Sequence, residues 1–346
     1  MARIFTPSGL FNNLLAHLQF KTLTMSTNLY PLVFEPILKE RIWGGTKLQT
    51  ILEKKISSQT TGESWEISTV SGDVSIVKEG HLQGKTLNEL LEKFPEEILG
   101  TKNYKQFGKQ FPLLFKFLDA REDLSIQLHP NDELAKKRHN SFGKTEMWYV
   151  MQADHEARII VGFKEKSSPK QYFHHLENKT LTTILEEIPV KKGDMFFLET
   201  GTIHAIGAGI VIAEIQQTSD ITYRIYDFDR KDAQGNTREL HNDLALEAIN
   251  YNKVAAYKKY DKTTNTSNKA VSCPYFTTNF IPLDGQLDFK TNTNTFRVFM
   301  CTDGKFDLIY HNQKYTFKKG ETVLVPAVIT HYILVGKASI LEIYIS

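Results

Sequence analysis

Gln127-Leu128-His129-Pro130, Lys144-Thr145-Glu146-Met147-Trp148 and Gly201-Thr202-Ile203-His204-Ala205 lie far apart in the chain. Together they supply two imidazoles, a carboxylate and a side-chain amide. That is a zinc-type ligand set that leaves room for water or substrate. If His129, Glu146, His204 and Gln127 converge, the chain is a metalloenzyme and not merely a globular protein.

Each residue has a plainer alternative. On a strand, alternate residues share a face, so Gln127 and His129 point the same way and Leu128 the other. Pro130 ends the ladder and Asn131-Asp132 makes a turn. A hydrogen-bonded pair at a barrel mouth would account for them equally. Lys144 and Glu146 also share a face, and burying either charge alone is costly. An ion pair satisfies both. The functional alternative gives Glu146 to a metal and Lys144 to an anionic substrate. Glu214 lies on the strand after His204 and points in or out according to turn register. Arg224 sits on the apolar segment Ile221 to Tyr226, where a guanidinium needs an acidic partner or a ligand. Asp220 and Asp227 are the candidate partners. His174-His175, His139, His155 and His241 have polar or charged surroundings and read as surface residues.

These side chains need a scaffold, and the pattern around them is that of strands. Ala157 to Phe163, Asp194 to Leu198 and Gly209 to Ile215 are short apolar runs bounded by turn signals, as is the β-branched Val74 to Val77. Such spacing predicts a mainly β fold, a sandwich or barrel. Helices are expected to be few: Thr86 to Phe94, Thr180 to Glu187, and Asn242 to Asn250 with Asn242 as N-cap. Tyr257 to Ala270 is polar and reads as a linker. The division expected is an extension at 1–24 ahead of a natural protein start at Met25, a catalytic domain at 25–256, a linker at 257–270 and a smaller β domain at 271–346.

The bulk composition narrows the function classes. Of 346 residues, 41% are hydrophobic and 24% charged, and the formal charge is +2. That balance gives no reason to expect a nucleic-acid partner. No apolar run has transmembrane length, so no membrane partner is expected. Cys273 and Cys301 cannot make a disulfide scaffold and read as free thiols of a reducing, cytoplasmic compartment, with one pair as the other option. The sequence does not fix an oligomeric state.

A faint repeat links the two halves. Gly193, five residues, then Glu199-Thr200-Gly201-Thr202-Ile203-His204 is echoed by Gly320, five residues, then Pro326-Ala327-Val328-Ile329-Thr330-His331. Each copy resembles the second cupin motif, G-x5-P-x-G-x2-H, with one substitution. Glu199 replaces the proline in the first, and Val328 replaces the inner glycine in the second. The pair supports two cupin-type jelly rolls related by duplication, with a few peripheral helices; two unrelated hairpins are the alternative. His331 stands where the second copy would place a ligand, without evident His or Glu partners, so that site reads as degenerate.

The separated motifs resemble, in order, those of the type I phosphomannose isomerases. They are Glu35-Pro36-Ile37-Leu38-Lys39-Glu40-Arg41-Ile42-Trp43-Gly44-Gly45, Gly62-Glu63-Ser64-Trp65-Glu66-Ile67-Ser68, Phe115-Lys116-Phe117-Leu118, Leu124 through Asp132, Lys144 to Trp148, and Gly201 to Ala205. The resemblance runs from about Leu29 to the end and is to the short, bacterial-type form. It implies a zinc enzyme, one Zn2+ per chain, interconverting mannose 6-phosphate and fructose 6-phosphate through an enediol. It implies His129, Glu146, His204 and Gln127 as ligands, Arg224 in the active site, and Lys116, Ser125 and Lys144 on the phosphorylated sugar. Glu214 is the candidate base, with metal-bound hydroxide as competitor. Long forms carry His-Lys-Pro-Glu where this chain has Gly143-Lys144-Thr145-Glu146, so any role of that histidine is absent or supplied elsewhere. Two other functions fit a cupin: non-haem iron and oxygen chemistry at the same ligands, and sugar binding without turnover.

Overall fold

The computed structural model describes residues 29–232 and 234–346. The expected extension at 1–24 lies outside them. The described chain is mainly β, with seven α-helices, all before the second domain. No helix among the described residues is long and apolar enough to cross a membrane.

Two antiparallel sheets face each other in the first part of the chain. One has six strands, in the spatial order Ile37–Gly45, Thr61–Ile67, Leu113–Ala120, Ile210–Gln217, Glu146–Ala153 and Met195–Leu198. The other has five: Tyr223–Tyr226, Ile126–Leu128, His204–Ile206, Arg158–Phe163 and Leu185–Pro189. Strand alternation sorts the side chains of both. In the six-stranded sheet, Phe115, Phe117, Met147, Tyr149, Ala213 and Ile215 turn outward into a large apolar core. Their neighbours Lys116, Leu118, Glu146, Trp148 and Glu214 turn inward. In the five-stranded sheet, Ile126, Leu128, Ala205, Tyr223 and Ile225 face an outer core, so Gln127, His204 and Arg224 face inward. Trp148, Val161, Ile206 and Ile212 fill the space between the sheets.

The second domain is one six-stranded sheet, in the order Asn268–Ser272, Thr277–Lys290, His331–Tyr344, Arg297–Tyr310 and Gln313–Lys318, with Thr322–Val325 also paired to Arg297–Tyr310. It begins inside the stretch that reads as a linker. Its inner face closes on Ile281, Phe299, Leu308 and Tyr332. Its outer face, with Phe280, Val298 and Ile343, shares the same core as Phe115 and Met147. The chain start joins this domain as well, since Leu32 and Leu324 exchange backbone hydrogen bonds of 2.7 and 2.9 Å.

The repeat is visible in the backbone. Gly193 and Gly320 both take the left-handed conformation, at φ 92° and 85°. Each donates its N–H to a neighbouring strand, Gly193 to Val150 O and Gly320 to Cys301 O, at 2.8 Å. A short strand follows each, then a strand that opens on the histidine. His204 is 2% exposed, whereas His331 is exposed and Tyr332 is the buried residue beside it.

Three sequence expectations need correction. Thr180 to Glu187 is not an α-helix: a 3-10 turn at Leu181–Ile184 runs into the edge strand Leu185–Pro189. Pairing with Arg158–Phe163 overrides a weak local preference. The helix Asn242–Ala248 is entered from His241, not capped by Asn242. His241 is held there because it exchanges two hydrogen bonds with the Arg224 backbone, at 2.7 and 3.2 Å. Of Val74 to Val77, only Val74 belongs to a ladder; Ile76 and Val77 make isolated bridges. Leu87–Lys93 is helical as expected, with Thr86 and Glu89 closing a capping box. Cys273 and Cys301 are both free thiols.

Phe115 is fully buried where the two domains share a core. Phe115→Ala should cost about 3–5 kcal/mol by cavity formation, read from urea unfolding. A loss under about 1 kcal/mol would mean that the shared core is loosely packed.

Candidate metal centre

Strand register brings the scattered residues together. His204 pairs with Gln127, and Gln127 pairs on its other side with Arg224. Across the sandwich, Glu214 pairs with both Lys116 and Trp148, and Glu146 lies beside Gln216. His129 follows its strand by one residue.

The ligand atoms of His129, Glu146 and His204 all lie within 4.8 Å of one another. His129 Nε2 is 3.5 Å from Glu146 Oε2, and His204 Nε2 is 3.5 Å from Glu146 Oε1. Each imidazole donates from Nδ1 to a backbone carbonyl, His129 to Ile221 O at 2.8 Å and His204 to Thr202 O at 2.9 Å. That fixes the tautomer and leaves the Nε2 lone pairs aimed at Glu146, as in metal-binding histidines generally. Both rings stay neutral. Burial lowers the His204 pKa to about 4, against the opposing carbonyl of Thr202 and aided by the Lys144 charge. Burial, with Lys144 and His204 nearby, takes His129 well below the usual range. Glu146 is 1% exposed, and neither of its oxygens receives a well-directed hydrogen bond among the described residues. Two back-bonded neutral imidazoles around a buried carboxylate fit a divalent cation.

Lys144 enters this group as the expected ion pair. Its ammonium is 2.9 Å from Glu146 Oε2 and 3.1 Å from His129 Nε2. Burial alone would lower its pKa, but Glu146 and Glu214 outweigh that and raise it. Gln127 stands beside the triad with its amide nitrogen 3.4 Å from His204 Nε2. Its oxygen accepts from Ser125 Oγ at 3.3 Å, so ligation through oxygen requires the amide to turn over.

His204, Lys144 and Gln127 line a cavity of about 430 Å³ beside this group. Glu214 lines it, accepting from Trp148 Nε1 at 3.1 Å and lying 3.3 Å from Lys116 Nζ. Arg224 reaches it from the other sheet. Its Nε donates to Ser125 Oγ (3.2 Å) and its Nη1 to Glu239 O (3.0 Å). Neither aspartate considered from the sequence pairs with it. Asp220 is exposed, and Asp227 is taken by Arg230 and Arg238 at 2.7 and 2.5 Å. Burial and the neighbouring Arg238 lower the Arg224 pKa.

Arg41, Glu63 and Trp65 also line the cavity, a role that sequence reasoning missed. Glu63 takes the forked Arg41 guanidinium at 2.9 and 3.2 Å and the Trp65 indole N–H at 2.6 Å. Lys116 lies over the Trp65 ring, 4.8 Å from its centre. Burial would raise the Glu63 pKa, but Lys116 and Arg41 prevail and hold it at about 2. The signal was the alternation Arg41, Trp43 and Glu63, Trp65, which puts each pair on one strand face.

Residues 32–166 match the model of the phosphomannose isomerase type I catalytic domain, and residues 266–345 that of the mannose-6-phosphate isomerase cupin domain. The chain belongs to the type I phosphomannose isomerases. Among its relatives is the mannose-6-phosphate isomerase ManA of Bacillus subtilis, 37% identical, with the match covering 89% of this chain and 96% of the relative. The mannose-6-phosphate isomerase of Streptococcus mutans is 36% identical over 90% and 97% of the two chains. A crystal structure of the Bacillus subtilis mannose 6-phosphate isomerase superposes with a TM-score of 0.84 at 33% identity, covering 91% of this chain and 99% of that one. Several Salmonella typhimurium phosphomannose isomerase structures share the fold at about 16% identity, such as one with a TM-score of 0.77. As a type I phosphomannose isomerase the chain is an enzyme, and its two β domains are of the cupin kind.

Glu146 has two buried oxygens open to a cation. Glu146→Gln should therefore weaken divalent-cation binding at least about tenfold, measured with Zn2+ as the probe in competition with a chromophoric chelator. Wild-type affinity in that variant would remove Glu146 from the ligand set.

Proposed function

We propose that the chain interconverts mannose 6-phosphate and fructose 6-phosphate, with one Zn2+ held by His129, Glu146 and His204 and with Gln127 beside them. The observation that carries this reading is the buried Glu146 carboxylate between two back-bonded imidazoles, one of which, His204, also lines a cavity with Lys116, Glu214 and Arg224. Family membership supplies the substrate class. The domain division is read with catalysis at 25–256 and a second domain expected at 271–346, whose first strand starts at Asn268 and whose own site is degenerate. Two free thiols suit a cytoplasmic setting.

The reaction moves a proton between C1 and C2 of the open-chain sugar through an enediol. When bound, the metal would supply Lewis acidity at the oxygens where negative charge develops. Glu214 is the proposed base, because it is a carboxylate in the cavity wall held by Trp148 and Lys116. It would take the carbon-bound proton at one carbon and return it at the other. Arg224 is the proposed partner for the developing oxyanion. It has no carboxylate to neutralise it, and its Nη2 has no partner among the described residues, which leaves forked donors for substrate. Lys116, Ser125 and Lys144 are proposed to hold the phosphorylated sugar, the lysines by charge-assisted hydrogen bonds.

Stripping the metal with a chelator should abolish interconversion in a coupled assay, leave the circular dichroism unchanged, and be reversed by zinc. Full activity in verified metal-free protein would sink the metal-dependent scheme. Arg224→Ala should lower kcat by about 10²–10³-fold, the cost of one oxyanion donor. Near-normal turnover would reduce Arg224 to a positioning contact with Ser125.

A further inference from the structure

Asp132 holds the approach to Glu146 from two directions. The carboxylate of Asp132, at the start of the helix Asp132–His139, uses both oxygens. Oδ1 accepts from Gly143 N at 2.8 Å and from Gln217 Nε2 at 3.0 Å. Gln217 in turn accepts from Thr145 N at 2.9 Å, and its own N–H reaches Thr145 O at 3.2 Å. The segment 143–145, which delivers Lys144 and Glu146, thus hangs from Asp132 and Gln217. It lies flat against the helix start: a Cβ on Gly143 would come within 2.7 Å of Asp132 N.

The other oxygen, Oδ2, is taken by the second domain. Tyr275 donates to it at 2.7 Å across 143 positions of sequence. Tyr275 sits in a tight turn closed by Cys273 N to Phe276 O at 3.0 Å. Phe276 is fully buried in the shared core and packs edge-on against Phe197. The phenol is therefore presented from a fixed point.

We propose that Tyr275 is a positioning residue for the catalytic site: through Asp132 and Gln217 it sets the segment that carries Glu146, and so tunes metal affinity from the second domain. The inference rests on the reading of Glu146 as a metal ligand. Hydrogen bonds directly behind a ligand fix its orientation, and losing one typically costs 10- to 100-fold in metal affinity or activity; Tyr275 acts further out, through Asp132, Gln217 and Thr145, so its loss belongs at the lower end of that range. Tyr260 provides an internal control. Its hydroxyl donates to Gly193 O at 2.6 Å, a comparable bond outside the Asp132–Gln217–Thr145 path that meets the Glu146 strand only near its far end, through Gly193 N–H to Val150 O.

The experiment measures zinc affinity by chelator competition, with kcat and KM, on the full chain and its Y275F, D132A, Y275F/D132A and Y260F variants. Expected are a roughly tenfold weaker zinc affinity in Y275F, a fall in kcat at little-changed KM, a larger loss in D132A, and no further loss when Y275F is added to D132A. Y260F should match wild type. The proposal is overturned if Y275F binds zinc as wild type does, if Y260F weakens binding equally, or if the two losses simply add. Failure of the wild-type chain to bind zinc would overturn the metal reading, and this inference with it.

Discussion

A carboxylate buried in a protein interior is costly unless a cation balances it. Glu146 is buried with the Lys144 ammonium 2.9 Å away, and the rest of the site follows from the need for that balance. Positive charge must come from Lys144, from a bound cation, or from both. The imidazoles on either side cannot supply it, because burial keeps them neutral. Their Nδ1 bonds to backbone carbonyls turn that neutrality into donor capacity toward a metal. A lysine at 2.9 Å and two lone pairs aimed at the same oxygens describe a centre with its charge balance set by whatever cation it holds.

The same logic extends outward. Lys116 is shared between Glu214 and the Glu63–Trp65 pair, and Glu63 is shared with Arg41. Acids and bases alternate around the cavity, so removal of one member leaves its neighbour buried and unmatched. Arg224 departs from this pattern. It is held by a hydroxyl and a carbonyl, neither of which neutralises it, and it has no carboxylate partner among the described residues.

Much of this was legible in the sequence because period-two alternation is a local property. The facing of Gln127 and His129, and of Lys144 and Glu146, needs no tertiary information. The strand-turn-histidine repeat was readable for the same reason. What escaped was set by distant partners. Leu185–Pro189 is a strand only because Arg158–Phe163 offers an open edge. The His241 cap depends on the Arg224 backbone. Glu63 and Trp65 were quoted within a motif, but their role becomes visible only when Lys116 crosses above the indole. The alternatives for Arg224 could not be separated from sequence, since the choice turned on Asp227 being claimed by Arg230 and Arg238.

The second jelly roll has a histidine at the repeat position that points to solvent, and a tyrosine that fills its interior. Its outward face is not free, because Phe280, Val298 and Ile343 complete the core under Phe115 and Met147. A substitution there would be felt in the sheet that carries Glu146 and Glu214, whereas one beside the exposed His331 would meet only solvent.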